Sequence, residues 1–369
     1  MAVPLLDLTR QYQPLRDEIM AVLDTVCTSQ RFILGPEVEA FEKESAQTLG
    51  VAHSVGVTSG TDALLIALMA LDVGPGDEVI IPTFTFFATA GVVHRLGATP
   101  VFVDVDPVDY CLIPEQVKTA ITERTKAVVP VHLFGQSADM AGLCEAIGQV
   151  PIIEDCAQAW GADFRGSQVG SMGLMGAFSF FPSKNLGCFG DGGLVTTNDE
   201  AVAGKLKQLR MHGQSGVYQH ETVGGNFRLD ALQAAVLRVK MPHVGDWIEG
   251  RRRNAARYEA LFQEAGLGDV IQRPAALEGR GHTFNQYVVR APRRDELRQH
   301  LLDAGVGCSV YYPLCLHLQP CFANLGGAEG DHPHAEQASR EVLALPVFGE
   351  LSDEELQEVV GAIAAFYRS

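Results

Sequence analysis

Short apolar runs and helix-like segments alternate through residues 54–197 of this chain, and that alternation limits its fold more than any other feature. The runs lie at 54–58, 78–81, 100–103, 127–131 and 151–153, with helix-like segments at 63–71, 88–96 and 141–147 among them. A strand that is apolar at nearly every position, not at every second one, is covered on both faces. The pattern therefore predicts an α/β fold with a mostly parallel central sheet between layers of helix. Two more β-rich runs follow at 177–180 and 193–197, and apolar residues at helical spacing from Tyr12 to Val26 predict an amphipathic helix ahead of the sheet. In open α/β sheets ligands sit at the carboxyl ends of the strands, so the residues just after each run are the ones to search.

From about residue 199 the texture changes. A helix near 202–209 leads into a His/Gly/Tyr-rich stretch at 211–226 and a helix at 230–239. A long charged helix at 248–265 then bridges to a strand at 284–289, a helix at 295–304, a strand at 308–311 and a closing helix at 353–366. We place a boundary near residue 245, between a large domain over 1–245 and a smaller α+β C-terminal domain over 246–369. The 369 residues, 47% of them hydrophobic, suffice for two cores.

Charge and cysteine usage exclude several classes. A formal net charge of −17 argues against a nucleic-acid partner, because phosphate backbones select basic faces. No apolar run approaches the roughly 20 residues a membrane helix needs, and Met1–Asp7 lacks the features of a signal peptide. The eight cysteines are scattered without a Cys-x-x-Cys pair, which reads as buried thiols and points to a cytoplasmic enzyme.

Three segments carry chemistry. Thr58-Ser59-Gly60-Thr61-Asp62-Ala63 follows a strand and opens a helix, as a phosphate seat on helix N-terminal amides does; a plain N-cap has the same composition. Ile152-Ile153-Glu154-Asp155-Cys156-Ala157-Gln158 ends an apolar strand with two carboxylates. A buried carboxylate needs a cationic partner, which a protonated pyridine nitrogen would supply; an N-cap or a metal ligand are the alternatives. No His/Cys/Asp cluster at ligand spacing accompanies the pair, so no metal is expected. Ala177-Phe178-Ser179-Phe180-Phe181-Pro182-Ser183-Lys184-Asn185-Leu186-Gly187 sets a lysine among aromatics and glycines, followed by Gly190-Asp191-Gly192-Gly193. Desolvation there would lower the lysine pKa, and a neutral amine is what Schiff-base chemistry requires. Standing alone, the same lysine reads as a surface-loop residue.

Taken in order, phosphate seat, strand-end carboxylate and strand-end lysine match the fold type I pyridoxal-phosphate (PLP) enzymes. In detail the chain resembles the nucleotide-sugar aminotransferase family, the DegT/DnrJ/StrS group, essentially end to end. The resemblance includes Phe32-Ile33-Leu34-Gly35-Pro36, Gly74-Pro75-Gly76-Asp77-Glu78-Val79, Pro82-Thr83-Phe84-Thr85-Phe86 and Pro130-Val131-His132-Leu133-Phe134-Gly135-Gln136. It continues through the carboxylate and lysine segments to Asn226-Phe227-Arg228-Leu229-Asp230-Ala231-Leu232-Gln233-Ala234-Ala235 and Tyr312-Pro313.

The resemblance implies that Lys184 holds PLP as a Schiff base and shuttles protons. It implies that Asp155 pairs with the pyridinium nitrogen, Gln158 lies by the ring, and Phe86 stacks on it. Gly60, Thr61 and Ser179 would hold the phosphate, and Asn226 would reach the phosphate of a neighbouring subunit in an obligatory homodimer. Arg228, Tyr311 and Tyr312 are the implied substrate contacts; relatives often carry His where this chain has Tyr311. Arginine suits a carboxylate or phosphate through its planar fork, although a structural salt bridge would also use Arg228. The reaction implied is ping-pong transfer of an amino group from L-glutamate to a keto-sugar on a nucleoside diphosphate. The Gly-Asp-Gly-Gly run most resembles relatives acting at C3 on UDP or dTDP carriers; C4 amination is the alternative. Sugar dehydratase relatives carry His at the lysine position, and a non-catalytic regulator would need no activated amine; this chain retains Lys184. A nucleotide-dependent oxidoreductase is disfavoured by the absence of a Gly-x-Gly-x-x-Gly fingerprint.

Overall fold

The structure is a computed structural model that describes residues 2–275 and 277–368. Its centre is a sheet assembled from two hydrogen-bonded groups. His53–Val57, Gly193–Thr197, Met175–Ser179 and Ile153–Asp155 lie side by side in that order, and Thr99–Val103, Glu78–Pro82 and Thr125–Val128 form the second group. Parallel bridges Val128–Ile152 and Val131–Asp155 join the two. Gly193–Thr197 runs antiparallel to both neighbours, and the remaining pairings are parallel.

Burial explains the apolar runs. Val55, Val57, Val79, Ile80 and Ile81 have no exposed surface, because helices cover the sheet on both faces. Helix Gly60–Ala70 is the extreme case: Ala63 through Leu68 are all buried as it crosses Met175–Ser179 and Gly193–Thr197. On the other face Phe178, Phe180 and Trp160 pack with Ala234, Ala235 and Leu237 of helix Ala231–Lys240. The opening helix, Thr9–Ser29, lays Leu15 and Ile19 on Val236 and Val239 of that helix.

A separate apolar cluster gathers the C-terminal residues. Tyr258 and Phe262 of helix Val244–Glu264 stack in it with Tyr287, Leu297, Leu301, Val359 and Ile363. Strand Tyr287–Arg290 pairs antiparallel with Val342–Leu345. The run at 308–311, expected as a full strand, pairs only through Ser309 with Ala344. Beyond that bridge Val310, Tyr311 and Tyr312 pack against Phe84 and Val131 at the edge of the central sheet, which takes them out of the ladder. The His/Gly/Tyr-rich stretch contains a hairpin, Gln214–Gly216 with Gln219–His220, whose tip residues Val217 and Tyr218 are exposed.

Candidate active site

A cavity of about 410 Å³ opens where the carboxyl ends of Glu78–Pro82, Ile153–Asp155 and Met175–Ser179 meet the start of Gly193–Thr197. At one end lie Ser59, Gly60, Thr61 and Ser179. Ser59 caps helix Gly60–Ala70 by accepting the Asp62 amide at 3.1 Å, and Thr58 donates to the Asp62 carboxylate at 2.5 Å. The N-cap and the phosphate-seat readings of this turn are thus compatible: the cap organises the turn and leaves the first-turn backbone facing the cavity. The turn is packed too closely for side chains. A Cβ on Gly60 would lie 2.5 Å from Ser179 Cβ, and one on Gly193 would lie 2.3 Å from the Ser59 carbonyl oxygen. Backbone amides and small hydroxyls at a helix N-terminus suit an oxyanion such as a phosphate.

At the other end stand Asp155 and Lys184. Asp155 is 4% exposed; it accepts Thr89 Oγ1 at 2.9 Å and the Ala157 amide at 3.1 Å. Burial pushes its carboxyl above the ordinary range, against those two hydrogen bonds and the charges of Lys184 and His132. The half-buried Lys184 sits on the loop after Met175–Ser179, its amide bonded to the Phe181 carbonyl at 2.8 Å. Burial lowers its amine to about 8, with Asp155 opposing. A basic group brought near neutrality beside a carboxylate in a cavity is the signature of a reacting amine.

The wall is aromatic. Gln158 accepts the Phe134 amide at 2.6 Å and donates to Tyr312 Oη at 3.0 Å, which fixes its amide plane. The Phe86 and Tyr312 rings lie 6.3 Å apart, and Phe86 is 58% exposed at the cavity. Tyr311 completes this side.

Of the residues singled out in the sequence, Gly60, Thr61, Phe86, Asp155, Gln158, Ser179, Lys184, Tyr311 and Tyr312 come together on one cavity. Asn226 and Arg228 do not line it within their own chain. Asn226 is exposed, and Arg228, held at the bridge between residues 57 and 228, donates to Met211 Sδ at 3.8 Å. Sequence reasoning missed Thr85, Ser183, Asp191 and Gln286 as lining residues. Thr85, Ser183 and Asp191 lay inside quoted motifs, but Gln286 arrives from the C-terminal part and has no local signal.

The structure also gathers His132, Glu154 and Cys156, which sequence spacing did not suggest as a cluster. The polar atoms of His132 and Glu154 are hydrogen-bonded. Glu154 accepts the amides of Gly170, Met172 and Gly173 and the His132 Nε2–H at 3.0 Å. His132 Nδ1 accepts the Ala138 amide, which leaves the ring proton on Nε2. Burial raises the Cys156 thiol well above its ordinary value. Through the amides it accepts, Glu154 braces the loop at 170–173.

The parallel sheet, with a close-packed helix-opening turn, a buried carboxylate and a lysine around one cavity at its strand ends, is that of a fold type I enzyme that works on amines. The chain belongs to the DegT/DnrJ/EryC1/StrS aminotransferase family, whose model matches residues 13–364. It is 52% identical to a "Pleiotropic regulatory protein" of Geobacillus stearothermophilus, over 100% of this chain and 99% of that one. It is 46% identical to a UDP-N-acetyl-3-dehydro-alpha-D-glucosamine 3-aminotransferase of Acidithiobacillus ferrooxidans, over 98% and 97%. The crystal structure of S. venezuelae DesV in complex with a ketimine intermediate superposes with a TM-score of 0.96 at 42% identity, covering 100% of this chain and 99% of that one.

Proposed function

We propose that this aminotransferase uses PLP to move an amino group from L-glutamate to a keto-sugar carried on a nucleoside diphosphate, with a UDP- or dTDP-linked 3-keto sugar as acceptor. The observation that carries the reading is that buried Asp155, desolvated Lys184 and the close-packed Gly60–Ser179 turn line one cavity. When bound, PLP supplies an electron sink that stabilises negative charge on the amine-bearing carbon.

The residues present fit that cofactor. Asp155 is a buried carboxylate whose charge a pyridinium would stabilise, and it is oriented by Thr89 and Ala157. Ser179 and the backbone of Gly60 and Thr61 would receive the phosphate. Phe86 would cover one ring face, and Gln158, held by Phe134 and Tyr312, would border it. Lys184 would hold the cofactor covalently and would accept and return the proton at the substrate carbon, a task suited to an amine that burial lowers to about 8.

We read Asn226 and Arg228 as residues that serve the cavity of a second copy, since neither lines its own. That assigns a homodimer with shared sites, Asn226 reaching the phosphate and Arg228 a substrate carboxylate or phosphate. Tyr311 and Tyr312 border the sugar. The relative named as a 3-aminotransferase of a UDP-linked 3-dehydro sugar supports C3 over C4. A purely regulatory role, which the name of the 52% relative suggests for that protein, leaves the desolvated amine of Lys184 without a use.

The test is turnover with L-glutamate and a panel of UDP- and dTDP-linked 3-keto and 4-keto sugars. Amination of a 3-keto sugar supports the reading. Amination confined to 4-keto sugars replaces the C3 assignment, and no amination of any member overturns it.

A further inference from the structure

The segment that follows Tyr311 and Tyr312 straps the C-terminal part of the chain to one residue of the central sheet. Thr83, fully buried just past Glu78–Pro82, shares three hydrogen bonds with it. The Leu316 amide donates to the Thr83 carbonyl at 2.8 Å, the His317 amide donates to Thr83 Oγ1 at 3.2 Å, and Thr83 Oγ1 lies 2.7 Å from His317 Nδ1. Oγ1 thus accepts the His317 amide and shares a second hydrogen bond with Nδ1, while Nε2 on the far side of the ring lies 3.4 Å from Glu336 Oε1. Glu336 is itself fixed by the amides of Gly330 and His332, and the His332 ring stands edge-on to His317 at 4.5 Å.

His317 Nε2 makes no hydrogen bond to Glu336, so the ring is held through Thr83, which has no access to solvent or to the cavity. The consequence is local. Thr83 begins the turn Thr83-Phe84-Thr85-Phe86, and the turn is held at three points. Thr83 is tied to His317. Thr85 Oγ1 lies 3.4 Å from Thr89 Oγ1, which bonds Asp155. Phe84 and Phe86 rest on Tyr312 at 6.0 and 6.3 Å between ring centroids.

We propose that His317 is a positioning residue for the cofactor face, acting through the Thr83 hydroxyl to fix the tilt of Phe86. The inference rests on the reading above that Phe86 covers a PLP ring. It separates the two halves of the imidazole. An asparagine amide takes the place of Nδ1 and keeps a partner for Thr83; a glutamine amide takes the place of Nε2 and keeps only the reach to Glu336. Thr83→Ser retains the hydroxyl, and Thr83→Val removes it at similar volume.

The experiment compares His317→Asn, His317→Gln, Thr83→Ser and Thr83→Val as PLP-loaded enzymes. The readouts are the visible circular dichroism of the bound cofactor and the rate of its conversion by L-glutamate, with thermal unfolding alongside. His317→Gln and Thr83→Val are expected to weaken the dichroic band at unchanged cofactor occupancy. They should also slow conversion roughly tenfold, as loss of alignment in a reacting pair does. His317→Asn and Thr83→Ser should keep the wild-type band and rate. Equal loss in His317→Asn and His317→Gln, or wild-type dichroism in all four, overturns the inference. A wild-type protein that takes up no PLP overturns the underlying reading instead, and the two failures are distinct.

Discussion

Asp155 ends one of two adjacent parallel strands, and Lys184 lies on the loop after the other. The strand of Asp155 pairs with Met175–Ser179, Asp155 in register with Ala177. Burial disfavours charge on both groups, while each opposes the other's shift. Asp155 is therefore poised for a cationic partner, which a pyridinium would supply while favouring the neutral form of the Lys184 amine.

Lys184→Ala removes the covalent link and the proton carrier together. Turnover should fall by about 10³-fold or more, since both nucleophilic and acid–base contributions are lost. Cofactor binding by dialysis should persist without covalent attachment, because Asp155 and the Gly60–Ser179 turn remain.

Gly60→Ala tests the phosphate seat without touching a functional group. Its new Cβ would meet Ser179 Cβ at 2.5 Å, so the helix start or the Ser179 backbone must move. Overpacking of this kind costs about 1–3 kcal/mol. The expected result is a lowered melting temperature together with weaker PLP affinity by titration.

The fold is legible in the sequence wherever local pattern decides it. Gly193–Thr197 was read with the bounds it has, and the helices at 88–95 and 140–147 within a residue or two, because apolar runs and helical spacing are local signals. Val342–Leu345 was not read as a strand, and Cys308–Tyr311 was read as one. Which of two short apolar runs pairs with Tyr287–Arg290 depends on tertiary packing, here the diversion of Tyr311 and Tyr312 to the cavity. Gln286 and the His317–Thr83 strap share that character: their partners lie more than a hundred residues away, and no spacing rule reports them.

Lys240 offers a pH test independent of catalysis. It is 7% exposed, donates to the Gly187 carbonyl, and has the rings of Phe189 and Trp247 within 6.0 Å. Burial lowers its amine to about 8 from an ordinary 10.5, with Cys188 opposing. Between these values the unfolded chain binds more protons at this group than the folded one, so the group's contribution to stability rises with pH across the window. Lys184 adds to the rise in the cofactor-free protein. Buried thiols with raised pKa, such as Cys156 and Cys188, act in the opposite sense above an ordinary 9.0. The Lys240 contribution is therefore read against a variant, by urea unfolding of that protein at pH 8 and pH 10. The change in stability from pH 8 to pH 10 should be less positive in Lys240→Met, which replaces a buried cation by an apolar chain of similar length.

Subunit sharing predicts complementation. Asn226→Ala and Lys184→Ala homodimers should each be impaired, whereas mixed dimers should regain activity. In one of the two sites of a mixed dimer, an intact Lys184 meets an intact Asn226 from its partner. Mixed dimers no more active than their parents would place both residues in one subunit's site.

The most direct measurement is the visible absorption spectrum of the purified protein with PLP, before and after L-glutamate. The account predicts a yellow protein whose band bleaches on addition of L-glutamate, and a Lys184→Ala variant that lacks the band. A protein that stays colourless with added PLP, or a Lys184→Ala variant with the wild-type band and bleaching, would contradict it.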